Sequence, residues 1–182
     1  MAYHSVREIY DAIDAARERL RARLESLDDA SADAKNSPEA WSVAEIVEHL
    51  ATIERRMVSL LSGMLAKAEE KSSEEATSFA PVSLDRFAER SRAEKYDAPE
   101  AVRPRGGVPL ASSLANLETS RESLRALMPR IEARDLSPFT FPHPAFGPLN
   151  FYEWLLFIGA HEGRHLKQIE RSLDRMSGIN KS

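Results

Sequence analysis

The sequence predicts an all-α protein: a four-helix bundle forming a single domain over residues 1–182. Three observations carry this. Four long segments space their apolar residues by three or four, the period of a helix with one buried face. These segments are rich in Ala, Leu, Glu and Arg, and the chain has only 7 glycines, a composition that favours helix. No segment shows sustained period-two alternation between turn residues, so no strand is expected.

The first helix is expected over residues 3–27, where Val6, Ile9, Ile13, Ala16, Leu20, Leu24 and Leu27 form one apolar face. "DDASADAKNSPEA" then reads as a polar loop. In "WSVAEI", Ser42 can cap the second helix, with Glu45 three residues on completing a capping box and Trp41 with Ile46 a hydrophobic staple. Its stripe runs Ile46, Leu50, Ile53, Met57, Leu60 and Met64. The stretch 68–108 is long for a hairpin between antiparallel helices, so it reads as a crossover along the bundle, with helices two and three parallel. A short helix is expected within it near Ser83–Ala93.

The third helix starts near Pro109, a favourable first residue, and buries Leu110, Leu114, Leu117, Leu124, Leu127 and Ile131. Pro129 is expected to kink or end it. "LSPFTFPHPAFGPL" reads as a proline-punctuated loop. Asn150 and Glu153 repeat the capping box at the fourth helix, with Leu149 and Trp154 as a staple. The opening of that helix, "FYEWLLFIGA", is apolar nearly all round, which suggests burial on most sides and a homodimer contact.

Composition narrows the function. There are no cysteines, so any metal must be held by His, Asp or Glu. The N-terminus is charged and amphipathic, unlike a signal peptide, and no run approaches the ~18 apolar residues of a membrane span. A cytoplasmic protein with no membrane partner is expected. The formal net charge is -4, and the arginines between 86 and 105 interleave with acids, which argues against a nucleic-acid partner. A small-molecule substrate fits better.

The five histidines are His4, His49, His143, His161 and His165. His161 and His165 lie one turn apart on the face that carries Trp154, Ile158 and Ile169, so they face inward. His49 sits between Ile46 and Ile53 on the inner face of helix two. Seven residues into that helix, it lies about 10 Å from the start, at ~1.5 Å per residue. With helix four antiparallel and ending near Arg175, His165 falls close to the same level. Buried imidazoles need partners for their ring nitrogens. Metal binding and a set of hydrogen-bonded core histidines both satisfy that need.

"HEGRH" also matches the H-E-x-x-H signature of zinc proteases. The extended signature asks for a glycine and a third histidine where the chain has Gln168 and Arg171, and no sheet is evident to hold a peptide. The protease reading is therefore set aside.

"WSVAEIVEHLATIERRM", followed far downstream by "HPAFGPLNFYEWLLFIGAHEGRHLKQIERSL", resembles the DinB-like superfamily, also described as YfiT-like metal-dependent hydrolases. The resemblance implies an up-down-down-up bundle and a divalent metal held by three histidines, matching His49, His161 and His165. It also implies a range of activities, since members include thiol-dependent S-transferases and a maleylpyruvate isomerase. Such a family fixes fold and site better than reaction.

Three imidazoles suit zinc, nickel or iron better than magnesium or calcium, and leave a position open. The expected activity is hydrolysis or S-transfer with a low-molecular-weight thiol; the alternative is a non-catalytic metal-binding or stress-response domain. Glu162 is a weak candidate base, and a solvent-facing charge paired with Arg164 or Arg171 is the expectation for it. Glu48, Gln168 and, less readily, Glu45 are candidate partners of the imidazoles. His143 is expected to order the loop before helix four, and Trp41 and Trp154 to act as staples and core. Gly163 suggests close packing or room above a metal. His4 is expected to play no part.

Overall fold

The computed structural model describes residues 1–71, 79–87 and 98–178. Four long helices dominate them: α1 (Val6–Leu24), α3 (Val43–Lys71), α4 (Leu110–Glu132) and α5 (Phe151–Met176). A one-turn helix, α2 (Asp29–Asp33), lies in the segment expected to be a polar loop, started by Asp28, whose side chain accepts from the Ser31 N–H at 2.7 Å. Helix α1 is shorter than its periodicity suggested because Ser5 caps it, accepting from the Glu8 N–H.

Both predicted capping boxes form. The Glu45 N–H donates to Ser42 Oγ at 3.2 Å, and the Ser42 N–H to Glu45 Oε2 at 2.9 Å. At α5 the Glu153 N–H donates to Asn150 Oδ1 at 2.8 Å, and the Asn150 N–H to Glu153 Oε2 at 2.9 Å. Pro129 does not end α4, which runs on to Glu132. Its missing N–H falls in the last turn, where little helix remains to be disturbed.

The chain directions follow from who packs with whom. At one end of the bundle, Val6, Ile9 and Ile13 of α1 meet Leu155 and Ile158 of α5, Leu61 and Leu65 of α3, and Leu124 and Ile131 of α4. At the other end, Leu20 and Leu24 meet Leu166, Ile169 and Leu173, with Val43, Ile46 and Val47 and with Leu110 and Leu117. So α1 and α5 run one way, and α3 and α4 the other: an up-down-down-up bundle. The parallel pair α1 and α5 approach closely at Gly159, where a Cβ would lie 3.2 Å from Ile13 Cα. Gly163, singled out in the sequence, has nothing within 4 Å of such a Cβ, so close packing does not explain it.

The crossover touches both ends of the bundle. Near its start, Tyr3 and Val82 exchange backbone hydrogen bonds of 2.8 and 2.9 Å, and Arg86 grips the Glu153 carboxylate at 2.8 and 2.6 Å. Near its end, a 3-10 turn at Glu100–Val102 lies against α3. Of the short helix expected near Ser83–Ala93, a 3-10 turn forms at Asp85–Phe87; the remainder lies outside the described residues.

One expectation is corrected outright. The proline-punctuated segment before α5 contains a two-stranded antiparallel hairpin, β1 (Thr140–His143) with β2 (Gly147–Asn150). Pro142 pairs with Pro148, and Gly147 turns the chain at φ +75. The strands are four residues each and mostly solvent-facing, so they leave no apolar alternation to read. The apolar opening of α5 is covered by its own chain: Phe151, Leu155 and Ile158 are buried without a second subunit.

Candidate metal centre

Three helix-borne imidazoles converge between α3 and α5. Ring centroids are 5.4 Å apart for His49 and His161, 4.9 Å for His49 and His165, and 4.6 Å for His161 and His165. One nitrogen from each lies within 4.8 Å of the others, near enough for one ion to span them after small side-chain rotations. The four-residue spacing on α5 places His161 and His165 on one face, and the antiparallel packing of α3 brings His49 to their level.

Two of the rings are oriented from outside. His49 Nδ1 lies 2.7 Å from the Val102 carbonyl, to which it donates, leaving Nε2 free. His165 Nδ1 lies 2.9 Å from Gln168 Oε1, one of the partners the sequence suggested. His161 differs: its Nε2 is sealed from solvent and has no hydrogen-bond partner. A buried donor or acceptor in that state costs about 1–3 kcal/mol. An ion at the centre of the three rings would relieve it, so the donor set fits a transition metal.

The electrostatics favour neutral rings. Burial, first among the causes, holds His49 below its ordinary pKa against the Val102 hydrogen bond. Burial likewise brings His165 down to about 4 and His161 well below the ordinary value, with the neighbouring imidazoles adding to the shift. Arg164, exposed on α5, adds a positive field felt by all three. Neutral imidazole is the metal-ligating form.

Glu162 is not the solvent-facing charge expected from the sequence, and its partners are neither Arg164 nor Arg171. It is 2% exposed and gripped by two arginines from other helices. Arg17 donates to it at 2.8 and 3.3 Å, and Arg121 at 3.1 Å. The same arginines hold Glu54, Arg17 at 2.5 Å and Arg121 at 3.2 and 3.4 Å. Each long helix thus supplies one member of a buried four-charge clasp that separates the two apolar regions. With both oxygens engaged, Glu162 is not disposed to act as a base in the way the protease signature implies.

The other candidates sort themselves. Glu48 holds the crossover rather than an imidazole, accepting the Arg105 and Gly106 N–H groups at 3.0 and 3.1 Å. Glu45 is taken up by its capping box and by Lys35 at 2.7 Å. His143 orders the hairpin turn, its Nδ1 accepting from the Ala145 N–H at 3.0 Å. His4 is exposed and remote from the centre. Trp154 is core, donating to the Phe141 carbonyl at 3.0 Å. Trp41 has a role the sequence did not suggest, its ring lying 5.1 Å from that of His49.

The Val102 carbonyl and the clasp were missed. A backbone acceptor at the end of a long loop leaves no trace in sequence. The clasp did leave one: Arg17, Glu54 and Arg121 each occupy a position that continues the apolar stripe of its helix, between Ile13 and Leu20, Leu50 and Met57, and Leu117 and Leu124.

Comparison with known proteins agrees with this architecture. The Bacillus subtilis protein YuaE, described as uncharacterized, is 29% identical over 154 residues, covering 84% of this chain and 90% of that one. TT2238, described as a four-helix bundle protein, superposes with a TM-score of 0.62 at 26% identity, over 92% of this chain and 100% of its own. YfiT from Bacillus subtilis, described as a probable metal-dependent hydrolase with an unusual four-helix bundle topology, gives a TM-score of 0.62 at 17% identity, over 97% of this chain and 91% of its own. A family model of the DinB superfamily matches residues 12–169, and the chain belongs to that superfamily.

Proposed function

We propose that the protein is a metal-dependent enzyme whose His49, His161 and His165 hold one divalent transition metal, and that it catalyses hydrolysis or thiol S-transfer on a small molecule. The observation that carries this reading is the partnerless, sealed Nε2 of His161 facing two other neutral imidazoles. The description of YfiT as a probable metal-dependent hydrolase points the same way.

Such a metal would supply Lewis acidity, lowering the pKa of an oxygen or sulfur nucleophile. The chain's own residues do the rest. Val102 and Gln168 fix which nitrogen of His49 and His165 faces inward. Trp41 covers one side of His49. Arg164 has no ion pair among the described residues and brings positive charge to the site, which suits an anionic substrate or a thiolate. Glu162 stays in its clasp and orients α5 rather than moving a proton. Three protein ligands leave a position open, as in catalytic zinc sites, and this favours an enzyme over a purely structural metal domain.

The test is metal analysis of protein purified without a metal-affinity step, with His49→Ala and His165→Ala alongside. One metal per chain, lost in both variants, is expected. Unchanged binding in His49→Ala would sink the cross-helix triad. A screen of electrophiles with low-molecular-weight thiols, set against ester and amide substrates, then separates S-transfer from hydrolysis.

A further inference from the structure

The end of the crossover is held to α3 by hydrogen bonds, and one of them comes from the His49 ring. Across residues 98–107 Val102 alone is buried, so little apolar packing fixes this strap in place. Polar contacts do the fixing. His49 Nδ1 donates to the Val102 carbonyl at 2.7 Å, and Arg56 Nη2 to the adjacent Ala101 carbonyl at 2.8 Å. The Arg105 and Gly106 N–H groups donate to the two oxygens of Glu48 at 3.0 and 3.1 Å. Gly106 and Gly107 then turn the chain into α4 with left-handed φ of +76 and +73, a conformation that other residues resist.

The docked strap selects the ligating form of His49. With its proton on Nδ1 and given to Val102, the neutral ring keeps Nε2 bare. Without the strap the two nitrogens compete for that proton, and one of the two tautomers offers no ligand at Nε2. The effect also runs the other way. A cation on Nε2 draws electron density from the ring and makes Nδ1–H a stronger donor to the carbonyl. Two events that favour each other do so by one shared factor.

We propose that Glu48 and Arg56 are positioning residues of the metal centre, acting on His49 through the strap, and that strap docking and metal binding strengthen each other. The proposal rests on the three-histidine reading and adds to it a segment whose docking sets the metal affinity. Glu48 spends both oxygens on the strap. Arg56 is exposed and seven residues from His49, about 10 Å along the helix. Its influence on the ring therefore passes through the strap.

The probe is zinc. Affinity is measured by competition with a chromophoric chelator, and docking by hydrogen exchange at the Arg105 and Gly106 amides. In wild type, zinc is expected to slow exchange at both amides about tenfold. Glu48→Ala is expected to weaken zinc binding about tenfold, and Arg56→Ala about threefold, with helix content unchanged by circular dichroism. Charge alone predicts the opposite for Arg56→Ala, since losing a nearby cation favours zinc. Glu48→Gln removes the charge and keeps a carbonyl acceptor, and is expected to recover most of the affinity lost in Glu48→Ala. Unchanged or tighter zinc binding in Arg56→Ala overturns the coupling, as does an equal loss in Glu48→Gln and Glu48→Ala. Zinc uptake with no change in exchange at the two amides overturns it as well. These three results leave the metal reading standing, whereas a wild-type protein that takes up no zinc removes both, so the two failures are told apart.

Discussion

Removing one arginine from the clasp should cost far more than its count of hydrogen bonds suggests. In Arg121→Leu, a leucine side chain replaces a guanidinium that is fully buried, at 0% exposure. Glu54 and Glu162 then share Arg17 alone, leaving surplus negative charge between the two apolar regions. Breaking a buried pair by removing one partner costs about 3–5 kcal/mol, a large part of the ~5–15 kcal/mol typical of a domain. At roughly 2–4 °C per kcal/mol for a chain of this size, Tm falls by about 10 °C. The assay is urea unfolding followed by far-UV circular dichroism, with Arg125→Ala as the control. Arg125 is half exposed and pairs at the surface, so its loss should stay within about 1 kcal/mol. Replacing all four members with apolar residues, Arg17→Met, Glu54→Leu, Arg121→Met and Glu162→Leu, should restore stability to near wild type, because the desolvation cost goes with the charges. A loss below 1 kcal/mol in Arg121→Leu, at unchanged urea slope, would refute the reasoning.

Gln168→Ala removes the group that orients His165 and should lower zinc affinity about tenfold by competition titration, with little change in stability. Gly163→Ala meets nothing within 4 Å and should raise stability by about 0.5–1 kcal/mol through helix propensity; Gly159→Ala must push against the Ile13 backbone and should gain nothing. Asn150→Ala breaks the α5 capping box and should cost about 1 kcal/mol in urea unfolding. His143 is held neutral to about pH 4 in the fold but takes a proton near pH 6.5 when unfolded. Its share of stability is therefore complete above pH 6.5 and is lost as pH falls towards 4, so His143→Phe should show a shallower loss than wild type across that window.

The parts of the fold written in long-range periodicity were legible: four helices, both capping boxes and the parallel middle pair. The hairpin was not, because Pro142 and Pro148 occupy paired positions and its outer residues face water. At the site, helix spacing put His161 and His165 on one inward face with His49 near their level, and the resemblance to the DinB-like superfamily named the three as a set. What sequence could not supply was the second partner of each group. A single chain of letters gives no reason for His49 to meet the Val102 carbonyl, 53 residues away. Glu162 misled for a related reason. Its place on α5 suggested a solvent-facing charge paired with Arg164 or Arg171, and its actual partners sit 145 and 41 residues away on other helices.

The clasp also bears on how the chain folds. Before α5 docks, Arg17 has Glu54 as its carboxylate partner, while Arg121 shares Glu54 and also holds Asp14 at 2.9 Å. Dehydrating Arg17 without its Glu162 hydrogen bonds is unfavourable, so α1, α3 and α4 gain little by closing early. Glu162 arrives with the final helix, in the same turn as His161, and completes the pairing of both arginines as the histidines come together. Assembly of the imidazole cluster and completion of the clasp are thereby one event, which makes partially closed bundles scarce and the folding transition all-or-none.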